Sequence, residues 1–214
     1  MIAVINYEMG NVGSVLNMMR KLRIQAKLTR DPKDLNQACG IILPGVGSYD
    51  RGMKQLRKCD LVTLLEDLVI GGGKPCLGIC LGMQLMAGGS EEGILQGLGW
   101  IKGTVCKFQP DPTRPKLRIP HMGWNYVKPA DQNHWLFTGL PSAPRFYFIH
   151  SYFYPANVSS VAGITDHIIP FASVVAKRNI VGCQFHPEKS HSFGLTLLSN
   201  FARMAMNAEQ SCSH

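Results

Sequence analysis

The stretch Pro75-Cys76-Leu77-Gly78-Ile79-Cys80-Leu81-Gly82-Met83-Gln84 constrains this chain more than any other. A short apolar run headed by proline reads as a buried strand, and Leu81 to Met86 reads as the start of a helix. Between them, Gly78-Ile79-Cys80-Leu81-Gly82 is the cysteine form of the G-x-S-x-G nucleophile elbow. A sharp strand-to-helix turn strains the central residue, and its neighbours must lack side chains for the turn to close. The turn lifts Cys80 out of the sheet at the positive end of a helix dipole, which favours thiolate over thiol. An isolated G-x-C-x-G is more often a buried structural cysteine between glycines. A partner base is needed to decide between the two.

Around the elbow, the pattern of elements predicts the class of fold. Met1 to Ile5, Ala26 to Leu28, Ile41 to Leu43 and the elbow run read as strands. Helical patterns separate them: one capped by Ser14, one opened by Asp31-Pro32, then Met53 to Leu56 and Leu61 to Ile70, stopped by Gly71-Gly72-Gly73. Strand, helix, strand, helix at this spacing implies a parallel sheet flanked by helices. Beyond Gly88, six short aromatic or β-branched segments read as added antiparallel or mixed strands: 105–108, 126–128, 146–150, 161–164, 172–176 and 180–185. Gln109 to Pro120 reads as a long surface loop. A last helix is expected from Phe193 to Met206. The expected organisation is an α/β fold, mostly parallel with antiparallel or mixed strands in the C-terminal half, forming one domain over 1–206 with a frayed tail over 207–214.

Gly71-Gly72-Gly73-Lys74 is not a phosphate loop, because proline follows Lys74 and no helix starts there. The net charge of +8 on 214 residues raises the question of nucleic acid. The 22 Lys and Arg are scattered, with no run longer than two and no aromatic platform among them, which speaks against it. A basic surface facing an acidic protein partner or a phosphorylated small molecule accounts for the charge as well. The seven cysteines (39, 59, 76, 80, 106, 183 and 212) form no C-x-x-C pair. Neither a zinc site nor a disulfide framework is suggested, no stretch is long enough to span a bilayer, and a reduced, cytoplasmic setting is expected. No metal or cofactor is called for.

Of the seven histidines, His186 ends an apolar strand and is followed by Pro187-Glu188. The end of a sheet strand is where open α/β folds place their chemistry. Residues two apart in an extended segment share a side, so Glu188 can lie against the imidazole and fix its tautomer while the other nitrogen faces a nucleophile. The order nucleophile, histidine, acid does not by itself identify a known hydrolase. An oxyanion hole is also required. Pro44-Gly45-Val46-Gly47, leaving a strand, offers peptide N–H groups at Gly45 and Val46, and Leu81 offers the one after the nucleophile.

With these parts assembled, the chain resembles the class I (triad) glutamine amidotransferases, and closely the glutaminase subunits of imidazole glycerol phosphate synthase, the HisH family. The likeness spans nearly the whole chain. It includes the Gly10-Asn11 loop, Ser90-Glu91-Glu92, Pro120-His-Met-Gly-Trp-Asn125, His150-Ser-Tyr152 and Gln184-Phe-His-Pro-Glu-Lys-Ser190. The resemblance implies a Cys80–His186–Glu188 triad that hydrolyses L-glutamine through a thioester. It implies glutamine binding by Gln84 and Glu92 with the backbone at Ser151 and Tyr152, and an oxyanion strand that is corrected when the partner binds its own ligand. Asn11 and Lys189 match interface positions, and the implied partner is a (β/α)₈-barrel cyclase of histidine biosynthesis that consumes ammonia. Paralogues with similar barrel partners supply ammonia for amino sugars of bacterial surface polysaccharides, and Glu188-Lys189-Ser190-His191-Ser192-Phe193-Gly194 resembles that branch. A free-standing γ-glutamyl cysteine hydrolase and a non-catalytic binding protein of the same fold also fit these residues.

Overall fold

A computed structural model describes residues 1–211. The chain runs β1 (Ile2–Ile5), α1 (Val12–Lys21), β2 (Ala26–Thr29), α2 (Pro32–Gln37), β3 (Gly40–Leu43), α3 (Tyr49–Lys58), α4 (Leu61–Glu66), β4 (Cys76–Ile79) and α5 (Leu81–Leu85). Then follow β5 (Gly89–Ser90), β6 (Thr104–Lys107), β7 (His121–Tyr126), β8 (Lys128–Pro129), β9 (Arg145–His150), β10 (Tyr152–Pro155), β11 (Val161–Asp166), β12 (Pro170–Lys177), β13 (Ile180–Cys183) and α6 (His191–Ser211).

The strands β2-β1-β3-β4-β13 pair in that order and all run parallel. Antiparallel β12 follows β13, then β10 and β6, with short β5 at the edge. β11 lies along β12 and carries β8 outside it, while β7 and β9 form a separate antiparallel ribbon. The class of fold is the one expected from sequence. Every residue of β1, β3, β4 and β13 is buried, so alternation divides the side chains between two cores. Ile2, Val4, Leu77 and Ile79 share a core with Val15, Met19 and Phe201 of α1 and α6. Ala3, Ile5, Ile41 and Leu43 share the other with Met53, Leu65 and Leu85 of α3, α4 and α5.

Several boundaries differ from expectation. α1 begins at Val12 with Asn11 in the capping position, so Ser14 lies inside the first turn and does not cap it. α4 widens into a π-turn over Asp67–Gly71, which Gly72 caps. The strand expected at 126–128 is two, β7 before it and β8 at its end, because Val127 is drawn off the ladder into the core. The last helix runs to Ser211, past Met206, so the expected tail is helical as far as 211. The buried face of that helix ends with Phe201, Ala202 and Ala205. Residues 212–214, with Cys212, lie outside the described residues.

Candidate active site

The carboxyl ends of four adjacent parallel strands supply the site. From β1 comes the Asn6–Asn11 loop, from β3 the Pro44–Gly47 segment, from β4 the elbow, and from β13 the Gln184–Glu188 segment. The strand of the expected nucleophile is therefore flanked by the expected oxyanion segment on one side and the expected base on the other.

Cys80 has φ 53° and ψ −109°, a conformation that L side chains rarely adopt. A Cβ at Gly82 would sit 1.9 Å from the Leu43 carbonyl oxygen, and one at Gly78 would sit 2.8 Å from backbone atoms of Gly82 and Met83. These glycines are thus required by close backbone approach. The turn is held by Cys80 N–H donating to the Cys183 carbonyl at 2.8 Å, and by Gln84 N–H donating to the Cys80 carbonyl at 3.2 Å. Leu81 opens α5, so its N–H is an orphan donor of the first helical turn beside the sulfur.

His186 Nδ1 and Glu188 Oε1 are 2.8 Å apart, with both side chains almost completely buried. Pro187 opens a short 3₁₀ turn, so the carboxylate curls back under the ring rather than lying along an extended strand. Nε2 has no protein partner of good hydrogen-bond geometry, yet it lies near enough to the Cys80 sulfur to be polarised by it. Burial works against the imidazolium. Cys80 and Glu188 outweigh it and hold the His186 pKa well above the ordinary histidine value.

Cys80, Leu81, Gln84, Glu92, Val46, Gly47, Ile149, His150, Ser151, Tyr152 and His186 line one cavity of about 180 Å³. Larger cavities lie elsewhere, one against Trp135 and α6 and one beside Arg114–Arg118, away from the sulfur and the imidazole. The expected triad, Val46, Leu81 and glutamine-binding residues therefore meet in one place, except that the Glu188 carboxylate stands behind the imidazole. Glu92 Oε2 accepts from Tyr49 N–H at 2.9 Å, capping α3, whose own Ser48 makes no side-chain cap. Burial raises the Glu92 pKa, and the Tyr49 bond opposes that. Gly45 packs flat on the elbow: a Cβ there would lie 2.7 Å from Gly82 N and 2.8 Å from both Leu81 Cβ and the Tyr7 hydroxyl.

Two residues at the site went unassigned in the sequence. Gln184 is wholly buried and its Nε2 lies 3.7 Å from the Cys80 sulfur. His150 lines the cavity at the end of β9. An amide inside the run Ile180-Val-Gly-Cys-Gln-Phe185 was the available signal for the first, since a buried polar group needs a partner. Gln84 spends both amide hydrogens on protein, donating to the Tyr152 carbonyl and to Gln184 Oε1 at 3.0 Å each, which leaves its oxygen for a ligand. Asn11 and Lys189 lie outside the cavity. α1 packs against the Pro187–Lys189 turn, and Lys189 Nζ stands 5.6 Å from the Tyr147 ring centroid.

Comparison with known proteins places nearly the whole chain in one family. Residues 3–205 match the family described as glutamine amidotransferase class-I. The imidazole glycerol phosphate synthase subunit HisH 2 of Methanococcus maripaludis is 47% identical over 206 residues, covering 96% of this chain and 100% of that protein. The imidazole glycerol phosphate synthase subunit HisH of Bdellovibrio bacteriovorus is 43% identical, covering 95% and 100%. Among solved structures, a glutamine amidotransferase of Thermotoga maritima superposes with a TM-score of 0.59 at 17% identity, over 97% of this chain and 84% of that one, which is a likeness of fold. The chain belongs to the class-I glutamine amidotransferase family and, within it, to the HisH subunits of imidazole glycerol phosphate synthase.

Proposed function

We propose that this chain is the glutaminase subunit of imidazole glycerol phosphate synthase. It hydrolyses L-glutamine to glutamate and ammonia and delivers the ammonia to a (β/α)₈-barrel cyclase subunit of histidine biosynthesis in the cytoplasm. One observation carries the reading. A cysteine held at positive φ on a glycine elbow shares a cavity with a histidine whose far nitrogen is fixed by a buried carboxylate.

The chemistry follows from that arrangement. His186 takes the Cys80 proton, and the sulfur attacks the side-chain amide carbon of glutamine. The carbonyl oxygen gains the negative charge, within reach of the Leu81 N–H and a peptide N–H from Gly45–Val46. Collapse breaks the carbon–nitrogen bond, the His186 imidazolium protonates the departing ammonia, and a thioester remains. His186 then draws a proton from water, which attacks the thioester and releases glutamate with the thiol restored. Gln84 through its oxygen and Glu92 through its free carboxylate oxygen suit the α-ammonium of glutamine, and the Ser151–Tyr152 backbone forms the facing wall.

The partner face is the outer side of the β7–β9 ribbon. Met122, Trp124, Tyr126 and Ile149 are exposed there, and Lys189 stands beside them over Tyr147. Such a patch of large apolar side chains is unusual on a monomer's surface and suits an interface. Asn11, at the head of α1, belongs to the same interface in this reading.

The test is alkylation by an electrophilic glutamine analogue followed by peptide mapping. Label on Cys80, blocked by glutamine, is the expected result, and label on another cysteine would overturn the mechanism. Co-purification of the barrel protein, with glutamine turnover stimulated by its phosphorylated ribulosyl substrate, fixes the pathway. Stimulation only by an amino-sugar precursor would assign the chain to the polysaccharide branch instead.

A further inference from the structure

The inner side of the same ribbon carries polar groups that glutamine hydrolysis leaves unused. His121 on β7 and His150 on β9 are direct cross-strand neighbours, 4% and 6% exposed. His121 Nδ1 lies 3.0 Å from His150 Nε2, His150 Nδ1 lies 2.8 Å from the Tyr152 carbonyl, and Asn125 Nδ2 lies 3.1 Å from His121 Nε2. His167 stacks on His121 at 4.1 Å between centroids and is bonded elsewhere, to the Arg118 carbonyl.

Hydrogen-bond chemistry orders these contacts. A carbonyl only accepts, so His150 must carry its proton on Nδ1. Burial strongly opposes charge on either ring, and each depresses the other or is depressed by its neighbouring histidines, so both are neutral. His150 Nε2 is then a bare acceptor, His121 must donate to it from Nδ1, and His121 Nε2 accepts from Asn125. The second Asn125 hydrogen goes to the Asp166 carbonyl at 2.9 Å. The Tyr152 carbonyl, receiving His150 from one side and Gln84 from the other, has no proton to pass on. The chain of bonds therefore cannot conduct protons; its role is positional.

What it positions is the wall of the glutamine cavity. The Ser151 carbonyl is held by Phe108 N–H at 3.0 Å, and the Tyr152 carbonyl by His150 and Gln84. Because peptides are planar, both peptide groups flanking the Tyr152 Cα are thereby fixed.

We propose that His121 and His150 are positioning residues: an oriented chain Asn125→His121→His150 sets the Tyr152 carbonyl, and through it Gln84 and the glutamine-binding wall. The ribbon then has two jobs. Its inner side holds the wall of the substrate pocket, and its outer side docks the partner, with Ile149 of that side also lining the cavity. This second step rests on the glutaminase function proposed for the site.

The test has two arms. In ¹⁵N-histidine NMR of the full chain at pH 6 to 8, both rings should be neutral with the proton on Nδ1. Substitution His121→Phe, which keeps a ring in the stack, identifies one of the two. A proton on Nε2 of either ring, or a charged ring, overturns the chain of bonds. This arm needs no turnover, so it stands or fails apart from the glutaminase function. In glutaminase kinetics with the barrel partner and its acceptor both saturating, His121→Phe should raise KM for glutamine about tenfold with kcat changed less than twofold. His167→Phe, which disturbs the same stack outside the chain of bonds, should leave KM within twofold of wild type. An unchanged KM in His121→Phe, an equal loss in kcat, or the same rise in His167→Phe would overturn the positional role.

Discussion

Gly45→Ala is the sharpest perturbation of the proposed oxyanion segment. The added methyl would lie 2.7 Å from Gly82 N and 2.8 Å from Leu81 Cβ, both on the elbow, where ordinary contact begins at 3.4 Å. Neither neighbour can yield: Gly82 is itself pressed on the Leu43 carbonyl, and Leu81 is buried in the core under α5. The segment between Pro44 and Gly47 must then move outward by about 0.7 Å, the difference between 3.4 and 2.7 Å, carrying the Val46 N–H away from the developing charge. Loss of one oxyanion donor costs roughly 3 kcal/mol, or about 10²- to 10³-fold in kcat, while ground-state binding of glutamine is little affected. The assay is ammonia or glutamate release at saturating partner, paired with the rate of Cys80 alkylation by iodoacetamide, which needs no oxyanion hole. A fall in kcat with KM and alkylation within threefold of wild type is expected. A kcat within threefold of wild type would show that this segment does not supply the donor, and parallel loss of alkylation would mean that the elbow had been distorted instead.

Three further substitutions test other parts of the site. Glu188→Gln removes one of the groups that raise the His186 pKa, so kcat should fall by on the order of 10³ and the alkaline limb of the pH–rate profile should move to lower pH. The sign for stability is the same: a raised histidine pKa stabilises the fold below the ordinary imidazole value, and that stabilisation is lost as pH rises through the folded value, so the variant's deficit in thermal midpoint should be larger at pH 6 than at high pH. Gln84→Leu leaves the Tyr152 carbonyl and Gln184 short of a donor and strips the pocket of an acceptor; KM for glutamine should rise more than tenfold in steady-state assays. Trp124→Ala, on the exposed side of the ribbon, should weaken partner binding about 30-fold by titration calorimetry, roughly 2 kcal/mol, with basal glutaminase unchanged.

The parallel half was legible because its signals are local. Fully apolar four-residue strands, glycine punctuation and the elbow each carry their meaning within a few residues, and β1, β3 and β4 fall where the pattern put them. His186 and Glu188 were legible through spacing, although the turn that joins them is helical rather than extended. The antiparallel half was harder. β7 reads His-Met-Gly-Trp-Asn-Tyr, with its polar residues turned inward and its large apolar residues outward, the reverse of ordinary alternation. Only the pairing of His121 with His150, 29 residues away, satisfies those inward groups, and no window of sequence contains that partnership. Gln184 was hidden for the same reason, since its two contacts come from Gln84 and Cys80, about a hundred residues earlier.

The strand order itself says how a partner could regulate such a site without touching its triad. Along β1-β3-β4-β13 the loops follow in sequence: the Asn11 loop, the oxyanion segment, the nucleophile, the base. Tyr7, from the first loop, donates its hydroxyl to the Pro44 carbonyl at 2.5 Å, and Gly10, at φ 98°, leaves room for only 3.2 Å between its absent Cβ and Gly45 N. A displacement at Asn11 therefore meets the Pro44–Gly45 backbone before it reaches Cys80. His186 and Glu188 lie on the far side of the elbow, locked in the core with their side chains almost wholly buried. Val46 is half-exposed beside a close-packed Gly45. A single peptide N–H turned toward or away from the oxyanion changes the rate by roughly two to three powers of ten, so in the function proposed above the adjustable element stands where a docked partner would press on it, with the nucleophile and base held fixed.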